Sequence, residues 1–223
     1  HYAFNLGCDG AEDVVNIYNK DPNADFHDIV SKIANISRTN AKTINLGLLY
    51  GMGVKKLAEE LKFDKDLVKD FLAKFHKQIP FIKDLSNRVS QYANSTGYVA
   101  TLKGRKCRFE LWEPTSFGVF KALPYDQAKE KYGRHHALQR AGTYKALNRL
   151  IQGSAADQTK QAMVDLYNEG IVPLVQIHDE LTLSFDGKKE TKNKIIDIMT
   201  NCVKLAVPSK VDCETGKSWG DAS

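Results

Sequence analysis

Residues 38–51 read Arg-Thr-Asn-Ala-Lys-Thr-Ile-Asn-Leu-Gly-Leu-Leu-Tyr-Gly, and they are the most informative stretch of the chain. Arg38, Lys42, Leu46 and Tyr50 recur every four positions, which places them on one slowly drifting stripe of an α-helix. The two cations suit a triphosphate. The aliphatic and aromatic groups after them suit a sugar and a base. The stretch therefore predicts a helix that binds a nucleotide.

A second signal lies far downstream, where the sequence Gln-Ile-His-Asp-Glu occupies residues 176–180. The surrounding residues 171–185 are rich in β-formers, and their apolar side chains alternate as in a half-buried strand. Two carboxylates and a histidine in such a run are costly to bury unless they are paired or bound to a metal. A polar edge strand is the simpler alternative.

Composition narrows the class of protein without identifying it. An apolar fraction of 42% argues against disorder, and 223 residues suffice for one or two domains. No run approaches the roughly 20 apolar residues that cross a bilayer, so we expect no membrane partner. The four cysteines form no Cys-x-x-Cys pair, which favours reduced thiols over a zinc site.

The positive charge is concentrated in one segment of the chain. The whole sequence has a net charge of +5, whereas residues 101–150 contain eleven Lys or Arg and four Asp or Glu. Such a segment can neutralise the phosphates of a nucleic acid. A solvated basic surface without a partner is the alternative interpretation.

Periodicity and breakers predict a helical first half and a mixed second half. We expect a break at residues 35–37 that caps the nucleotide-binding helix, and glycines 51 and 53 at its end. We predict helices at 11–20, 26–34, 38–50, 54–62, 65–78 and 81–95, a strand or hairpin at 97–105, helical structure over 135–168, β-structure over 171–185 and a helix at 191–205. Residues 113–133 are irregular. This order indicates an α+β fold.

Three further sequence motifs accompany the two stretches described above. Residues 97–106 read Gly-Tyr-Val-Ala-Thr-Leu-Lys-Gly-Arg-Lys, residues 148–157 read Asn-Arg-Leu-Ile-Gln-Gly-Ser-Ala-Ala-Asp, and residues 216–220 read Gly-Lys-Ser-Trp-Gly. Together with the two stretches above, they resemble the family A, or DNA polymerase I-like, DNA-directed DNA polymerases, most closely the phage forms. The resemblance extends along nearly the whole chain and implies mostly helical fingers plus a partial palm with an antiparallel β-hairpin.

The resemblance gives the 38–50 helix the role of the fingers helix that binds the incoming dNTP. In that role Arg38 and Lys42 bind the triphosphate, and Lys42 is also the candidate general acid for the leaving pyrophosphate. Leu46 lies against the sugar and base, and Tyr50 guards the template side of the new pair. His27, in the family's Asp-x-His pattern, joins them on the triphosphate. The family usually has an aromatic residue where Leu46 stands, although phage members accept leucine.

The 176–180 stretch resembles the metal-binding motif of the palm. The resemblance implies that Asp179 is a catalytic metal ligand, that Glu180 is a nearby carboxylate, and that His178 approaches the primer terminus. Carboxylate oxygens suit Mg²⁺, and the family's nucleotidyl transfer uses two such ions.

Four further residues are implied in binding primer–template DNA. Asn148 and Gln152 lie four residues apart, and their amides can donate to minor-groove acceptors that every base pair shares. Arg105 and Lys106 would contact the template backbone.

The family pattern also divides the chain. It implies that residues 1–10 are a palm remnant, residues 11–132 the fingers, and residues 133–223 the C-terminal part of the palm. The family's Asp-Tyr-Ser-x-x-Glu motif, which supplies another metal-binding aspartate, is expected just before His1. We therefore expect these 223 residues alone to be inactive, because one carboxylate cannot organise both metals. A phage enzyme would work in the host cytoplasm with phage replication proteins.

Three alternatives stay open on the sequence. A single-subunit RNA polymerase shares the Lys and Tyr-Gly helix, although Glu180 after the His-Asp pair argues for the DNA enzyme. A non-catalytic DNA-binding remnant of a polymerase would keep the basic segment without the chemistry. A structural domain that binds no nucleic acid would show no salt-dependent DNA binding.

Overall fold

Helices build most of the chain from residue 2 to residue 96, as their apolar periodicity predicts. The computed structural model describes residues 1–21, 23–34, 36–50, 52–116 and 118–222. Its helices are α1 (Tyr2–Asn5), α2 (Ala11–Lys20), α3 (Phe26–Ala34), α4 (Arg38–Leu49), α5 (Val54–Leu61), α6 (Lys65–Gln78), α7 (Pro80–Thr96), α8 (Tyr125–Tyr132), α9 (Ala146–Asn168) and α10 (Lys189–Asn201). Asn35 and Gly51, which we expected at a break and at a helix end, lie outside the described residues.

Short antiparallel strands account for the rest of the regular structure. They are β1 (Tyr98–Ala100), β2 (Lys106–Arg108), β3 (Leu111–Pro114), β4 (Leu123–Pro124), β5 (Leu138–Arg140), β6 (Pro173–Ile177) and β7 (Glu180–Leu183). Within the described residues, β1 pairs with β2, β3 lies between β4 and β5, and β6 pairs with β7. Brief 3₁₀ turns occupy Thr143–Lys145 and Trp219–Asp221. The predicted α+β class with an antiparallel hairpin is confirmed.

The chain divides into two compact units. The larger unit comprises residues 2–12 and 25–151, and the smaller unit comprises residue 1 with residues 13–24 and 152–223. The assignment of residues 1–10, 11–132 and 133–223 to palm and fingers stays a prediction.

Two apolar clusters of the larger unit fix the orientation of α4. Ala41 packs with Val30 of α3 and Phe75 of α6, and Ile44 packs with Leu57 of α5 in the second cluster. These five side chains are nearly or completely inaccessible to water. Because buried apolar area stabilises a fold at about 25 cal/mol per Å², this face of α4 is strongly anchored and the opposite face is left to solvent.

A third cluster of the larger unit lies around α7. Leu85, Val89 and Ala93 pack against Val99 of β1 and Phe109, the residue after β2. This packing holds the β1–β2 hairpin against the helix. The hairpin extends to Arg108, beyond the predicted end at residue 105.

The prediction of continuous helix from residue 135 was wrong. Residues 138–140 form β5, and α9 begins only at Ala146. Gly142 between them has φ +73°, a left-handed conformation that glycine adopts without strain and that interrupts a right-handed helix. The region 113–133, which we left irregular, contains β4 and α8. The last helix, predicted at 191–205, runs from Lys189 to Asn201.

Within the described residues, none of the helices combines the length and the apolar character needed to cross a membrane.

Candidate functional site

The start of α4 is set by its capping residue. The Ser37 hydroxyl accepts the backbone N–H of Asn40 at 3.2 Å, which satisfies one of the free donors of the first turn. The helix therefore begins at Arg38 with its N-terminal N–H groups and its first cation at the same end. At the other end, the Tyr50 N–H donates to Leu46 O at 2.9 Å and closes the last turn.

The predicted stripe is the exposed face of this helix. Arg38, Lys42, Leu46 and Tyr50 are all classed as exposed, whereas Ile44 on the inner face is 1% exposed. Leu46 keeps 39% and Tyr50 keeps 48% of its surface accessible. Exposed large apolar groups beside two cations form a surface that could receive an amphipathic, negatively charged ligand.

Arg38 is already paired within the larger unit. Its Nε lies 3.0 Å from Asp25 Oδ2 and 3.2 Å from Asp28 Oδ1, and its Nη2 also donates to the same Asp25 oxygen. The hydrogen bond from Arg38 holds the pKa of Asp25 below its ordinary value, although partial burial opposes this. The Arg38 side chain keeps 56% of its surface exposed, so a stronger anion from solvent could compete with both carboxylates.

His27 is held by α3 and α4 together. Its backbone N–H donates to Asp25 Oδ1 at 2.7 Å, directly at the start of α3. Its ring Nδ1 lies 2.9 Å from the side-chain nitrogen of Asn45, which is 3% exposed. The structure thus brings His27 and Arg38 together through Asp25. Sequence spacing alone did not show this link.

Gly47 is a glycine in the interior of α4. A glycine inside a helix suggests close approach of another surface, and a nucleobase pair is one such surface that the sequence allows. In the structure Gly47 is buried and faces protein: an added Cβ would lie 2.7 Å from Leu57 Cδ2 and 3.2 Å from Met52 Sδ. Packing against α5 therefore accounts for this residue.

The smaller unit presents His178 and Asp179 at the tip of the β6–β7 hairpin. Ile177 pairs with Glu180, so the two residues between them form the turn. His178 has φ +54°, a left-handed conformation that is uncommon outside glycine but enriched in histidine, asparagine and aspartate. Gln176 Nε2 supports the turn by donating to His178 O at 3.0 Å.

The carboxylates of this hairpin are accessible to solvent. Asp179 and Glu180 are both exposed, and Trp219 Nε1 donates to Glu180 Oε1 at 3.2 Å. The indole thus orients Glu180 and leaves the Asp179 carboxylate at the tip. Among the described residues, no group of three or more His, Cys, Asp or Glu side chains is arranged to hold a metal ion. The described carboxylates alone therefore offer an incomplete metal site.

The β1–β2 hairpin carries two of the predicted DNA-binding residues. Arg105 lies in the turn and Lys106 begins β2, and both are exposed. The Lys106 ammonium lies 4.4 Å from the centroid of the Tyr98 ring, a cation–π contact. The turn is fixed by Thr101, whose hydroxyl accepts the Arg105 N–H at 3.2 Å. The two cations therefore lie at and just after a turn that this hydrogen bond closes.

Asn148 and Gln152 both lie in α9, at half-buried and exposed positions respectively. Between them, Arg149 donates to Arg108 O at 3.3 Å, and its guanidinium lies 4.6 Å from the centre of the Phe109 ring. Lys145 lies over the Tyr144 ring at 5.3 Å. The contacts of Arg149 with Arg108 O and the Phe109 ring give it a structural role.

Asp25, Asn45 and Trp219 contact predicted site residues, and the sequence predicted no role in the site for any of the three. Asp25 carries a detectable signal, since an aspartate two residues before a helical histidine is typical of a helix start. Asn45 and Trp219 carry no such signal, because their partners come from other elements.

Known proteins supply an independent comparison. Residues 12–221 match the model of DNA polymerase family A. The "DNA-directed DNA polymerase" of Pseudomonas phage M6 is 36% identical over 237 residues, which cover 91% of this chain and 32% of the phage protein. The thermostable DNA polymerase I of Thermus filiformis is 31% identical, over 83% of this chain and 21% of its own length. This chain thus spans about a third or less of these relatives.

A solved structure is also similar. The POL domain of Pol1 from M. smegmatis, determined in complex with DNA primer-template and dNTP, superposes with a TM-score of 0.73 and 27% identity. The superposition covers 93% of this chain and 36% of that one. Sequence and fold therefore agree, and the chain belongs to DNA polymerase family A.

Proposed function

We propose that this chain supplies the nucleotide-binding helix and one metal-binding carboxylate of a DNA-directed DNA polymerase that adds dNTPs to a primer 3′ end. The observation that carries the proposal is the exposed stripe of α4, with two cations followed by two apolar groups. The family match supports a DNA polymerase over the single-subunit RNA polymerase that the sequence left open.

The triphosphate would be bound by Arg38, Lys42 and His27. Arg38 would exchange its carboxylate partners, the half-buried Asp25 and the exposed Asp28, for phosphate oxygens, because a triphosphate carries more charge than one carboxylate and presents several acceptors. Lys42, exposed one turn later, would bind the phosphates and give a proton to the leaving pyrophosphate. Leu46 and Tyr50 would contact the sugar and the nascent base pair.

Asp179 would be the metal ligand of this chain. Its exposed carboxylate at a strained turn fits a hard cation such as Mg²⁺, and Glu180, oriented by Trp219, would lie beside it. Bound Mg²⁺ ions supply the positive charge that stabilises nucleotidyl transfer in two-metal sites. In this proposal the remaining ligands come from the substrate, from water or from elsewhere in the polymerase.

The DNA would be contacted by Arg105 and Lys106 on the template backbone, by Asn148 and Gln152 in the minor groove, and by His178 near the primer terminus. These contacts are independent of sequence, as replication of any template requires. In a phage-encoded enzyme this work would take place in the host cytoplasm, together with phage replication proteins.

The proposal is tested by two substitutions in the full-length polymerase that contains this chain. Asp179→Ala should abolish primer extension and leave primer–template affinity nearly unchanged, because it removes a metal ligand and not a DNA contact. Lys42→Ala should weaken dNTP use far more than DNA binding. Loss of DNA binding with intact chemistry in either variant would contradict the assigned roles. Full-length protein without extension activity would favour a non-catalytic remnant.

The isolated 223 residues should not extend a primer. One assigned carboxylate ligand is too few to organise two metal ions. Gel-based extension of a labelled primer with Mg²⁺ and all four dNTPs would test this, and robust extension by the chain alone would overturn it.

A further inference from the structure

Asn45 is a buried polar side chain in the middle of α4. It is 3% exposed and lies beside Ile44, which is 1% exposed. Burying an amide is unfavourable unless hydrogen bonds replace those it made with water. The side-chain nitrogen of Asn45 lies 2.9 Å from His27 Nδ1, and this contact crosses from α4 to α3.

The direction of this hydrogen bond fixes the state of the histidine. A side-chain amide nitrogen only donates, so in this arrangement Nδ1 of His27 accepts. A neutral imidazole that accepts at Nδ1 carries its proton on Nε2. His27 then presents an N–H donor on the side of the ring away from Asn45.

The oxygen atom of the Asn45 amide is in an unusual environment. Asn45 Oδ1 is buried and has no hydrogen-bond partner among the described residues. An unsatisfied buried acceptor is rare in native proteins and calls for an explanation. Packing alone does not explain the asparagine, because an apolar side chain of similar size would fill the same space without burying an unpaired acceptor. The hydrogen bond between Asn45 Nδ2 and His27 Nδ1 is the polar contact that an asparagine adds at this position, although it leaves Oδ1 unpaired.

We propose that Asn45 is a positioning residue: it keeps His27 in the tautomer with the proton on Nε2, ready to donate to a phosphate oxygen of the nucleotide. The proposal rests on the proposed function, in which His27 binds the triphosphate. The opposite tautomer would present a lone pair to the phosphate, which repels it. Asp25 completes the arrangement, since it fixes the backbone of His27 while Asn45 fixes the ring.

The first test reads the tautomer directly and needs no nucleotide. Long-range ¹H–¹⁵N correlation spectra of the histidine rings in the 223-residue chain distinguish the two tautomers, and His27→Gln assigns the signal. We expect His27 protonated at Nε2 in the wild-type chain. A proton on Nδ1 would overturn the proposal.

Asn45→Asp replaces the donor of this hydrogen bond with an acceptor and leaves the side-chain volume nearly unchanged. A carboxylate accepts and cannot donate, so the proton should move to Nδ1 of His27. A residue with a purely structural role would leave the tautomer unchanged. If the substitution prevents folding, the wild-type spectrum still decides the question.

The second test measures dTTP affinity for the same chain. His27→Ala should weaken binding by roughly tenfold, since it removes a hydrogen bond to a charged group. Asn45→Ala should weaken it by about threefold to tenfold, and the double variant should bind no worse than His27→Ala, because the two residues act as one unit. Thr43→Ala is the matched control: this hydroxyl, on the same helix, donates to Thr39 O at 3.2 Å.

The outcomes separate the two proposals. If His27→Ala leaves dTTP affinity unchanged, the phosphate-binding role of His27 is wrong. If His27→Ala weakens binding while Asn45→Ala behaves like Thr43→Ala, only the positioning role of Asn45 is wrong.

Discussion

Gly47 shows how one missing side chain determines the packing of the nucleotide-binding helix. If residue 47 had a Cβ atom, that atom would lie only 2.7 Å from Cδ2 of Leu57 in α5. Leu57 is 0% exposed. A buried leucine cannot rotate into solvent, so a larger residue would force neighbouring side chains apart. The glycine therefore allows α5 to approach α4 closely.

We expect Gly47→Ala to lower the free energy of unfolding by about 1 kcal/mol. Alanine gains about 1 kcal/mol over glycine in helix propensity, but overpacking a core costs about 1–3 kcal/mol. Urea denaturation of the two proteins measures the difference. Thr39→Ala is the control, since this exposed position of α4 gains propensity without a clash. Equal stabilisation by both substitutions would show that the α4–α5 contact is loose.

The pair of helices α3 and α4 is joined by polar contacts as well as by its apolar clusters. Asp25 accepts from His27 at the start of α3 and from Arg38 at the start of α4. The same carboxylate therefore aligns two groups proposed to bind phosphate, and it neutralises one of them. A bound triphosphate would have to displace it from Arg38.

Asp25→Asn should strengthen dTTP binding by roughly threefold. Asparagine caps a helix about as well as aspartate, so α3 is preserved while the competing charge is removed. Because its pKa is lowered by Arg38, Asp25 stays ionised at and above its ordinary pKa. Its contribution to stability is present at neutral pH and is lost only as the pH falls through the lowered pKa. Asp25 is therefore charged throughout the range from pH 6 to pH 8, and isothermal titrations at pH 8 should show the gain in affinity. Weaker binding by Asp25→Asn would contradict the proposed competition between Asp25 and the triphosphate for Arg38.

Local sequence signals predicted most helices and strands well. They predicted contacts between these elements poorly. The predicted break at residues 35–37 precedes α4, where Ser37 is the N-cap, and the predicted start of a helix at residue 65 is confirmed. Pro80, predicted only as a break, is the first residue of α7. The exposed stripe of α4 follows from a period of four. The Asn45–His27 and Trp219–Glu180 contacts could not be predicted, because they depend on how elements pack and not on spacing within one element. The run at 135–145 was misread, since its helical periodicity ignored the left-handed Gly142.

The positive charge of the whole molecule serves two purposes. Arg140, in the basic segment 101–150, donates to Asn94 O at 3.1 Å and to Phe109 O at 2.9 Å, and it lies 4.6 Å from the Trp112 ring centre. Arg140 therefore holds the larger unit together. Lys106, by contrast, is exposed on its hairpin and is proposed to contact DNA.

The two cations should respond differently to substitution. Lys106→Ala should lower the salt dependence of primer–template binding by about one unit in the slope of log K against log salt, because one phosphate contact is lost. Arg140→Lys should keep that slope but lower the melting temperature, because a lysine cannot reproduce the forked hydrogen bonds. Fluorescence anisotropy over a salt series, with thermal melts of both variants, measures each effect. A changed slope in Arg140→Lys would assign this residue to DNA binding instead.

The central claim, that the exposed stripe of α4 binds a nucleoside triphosphate, is tested most directly by the affinity of the 223-residue chain for dTTP. Lys42→Ala should weaken binding by about tenfold or more, since it removes a direct phosphate contact. Lys56→Ala, which removes the same charge from the exposed face of α5, should change affinity by less than about twofold at 0.1 M salt. Equal losses in the two variants, or no dTTP binding by the wild-type chain at millimolar concentration, would contradict the claim.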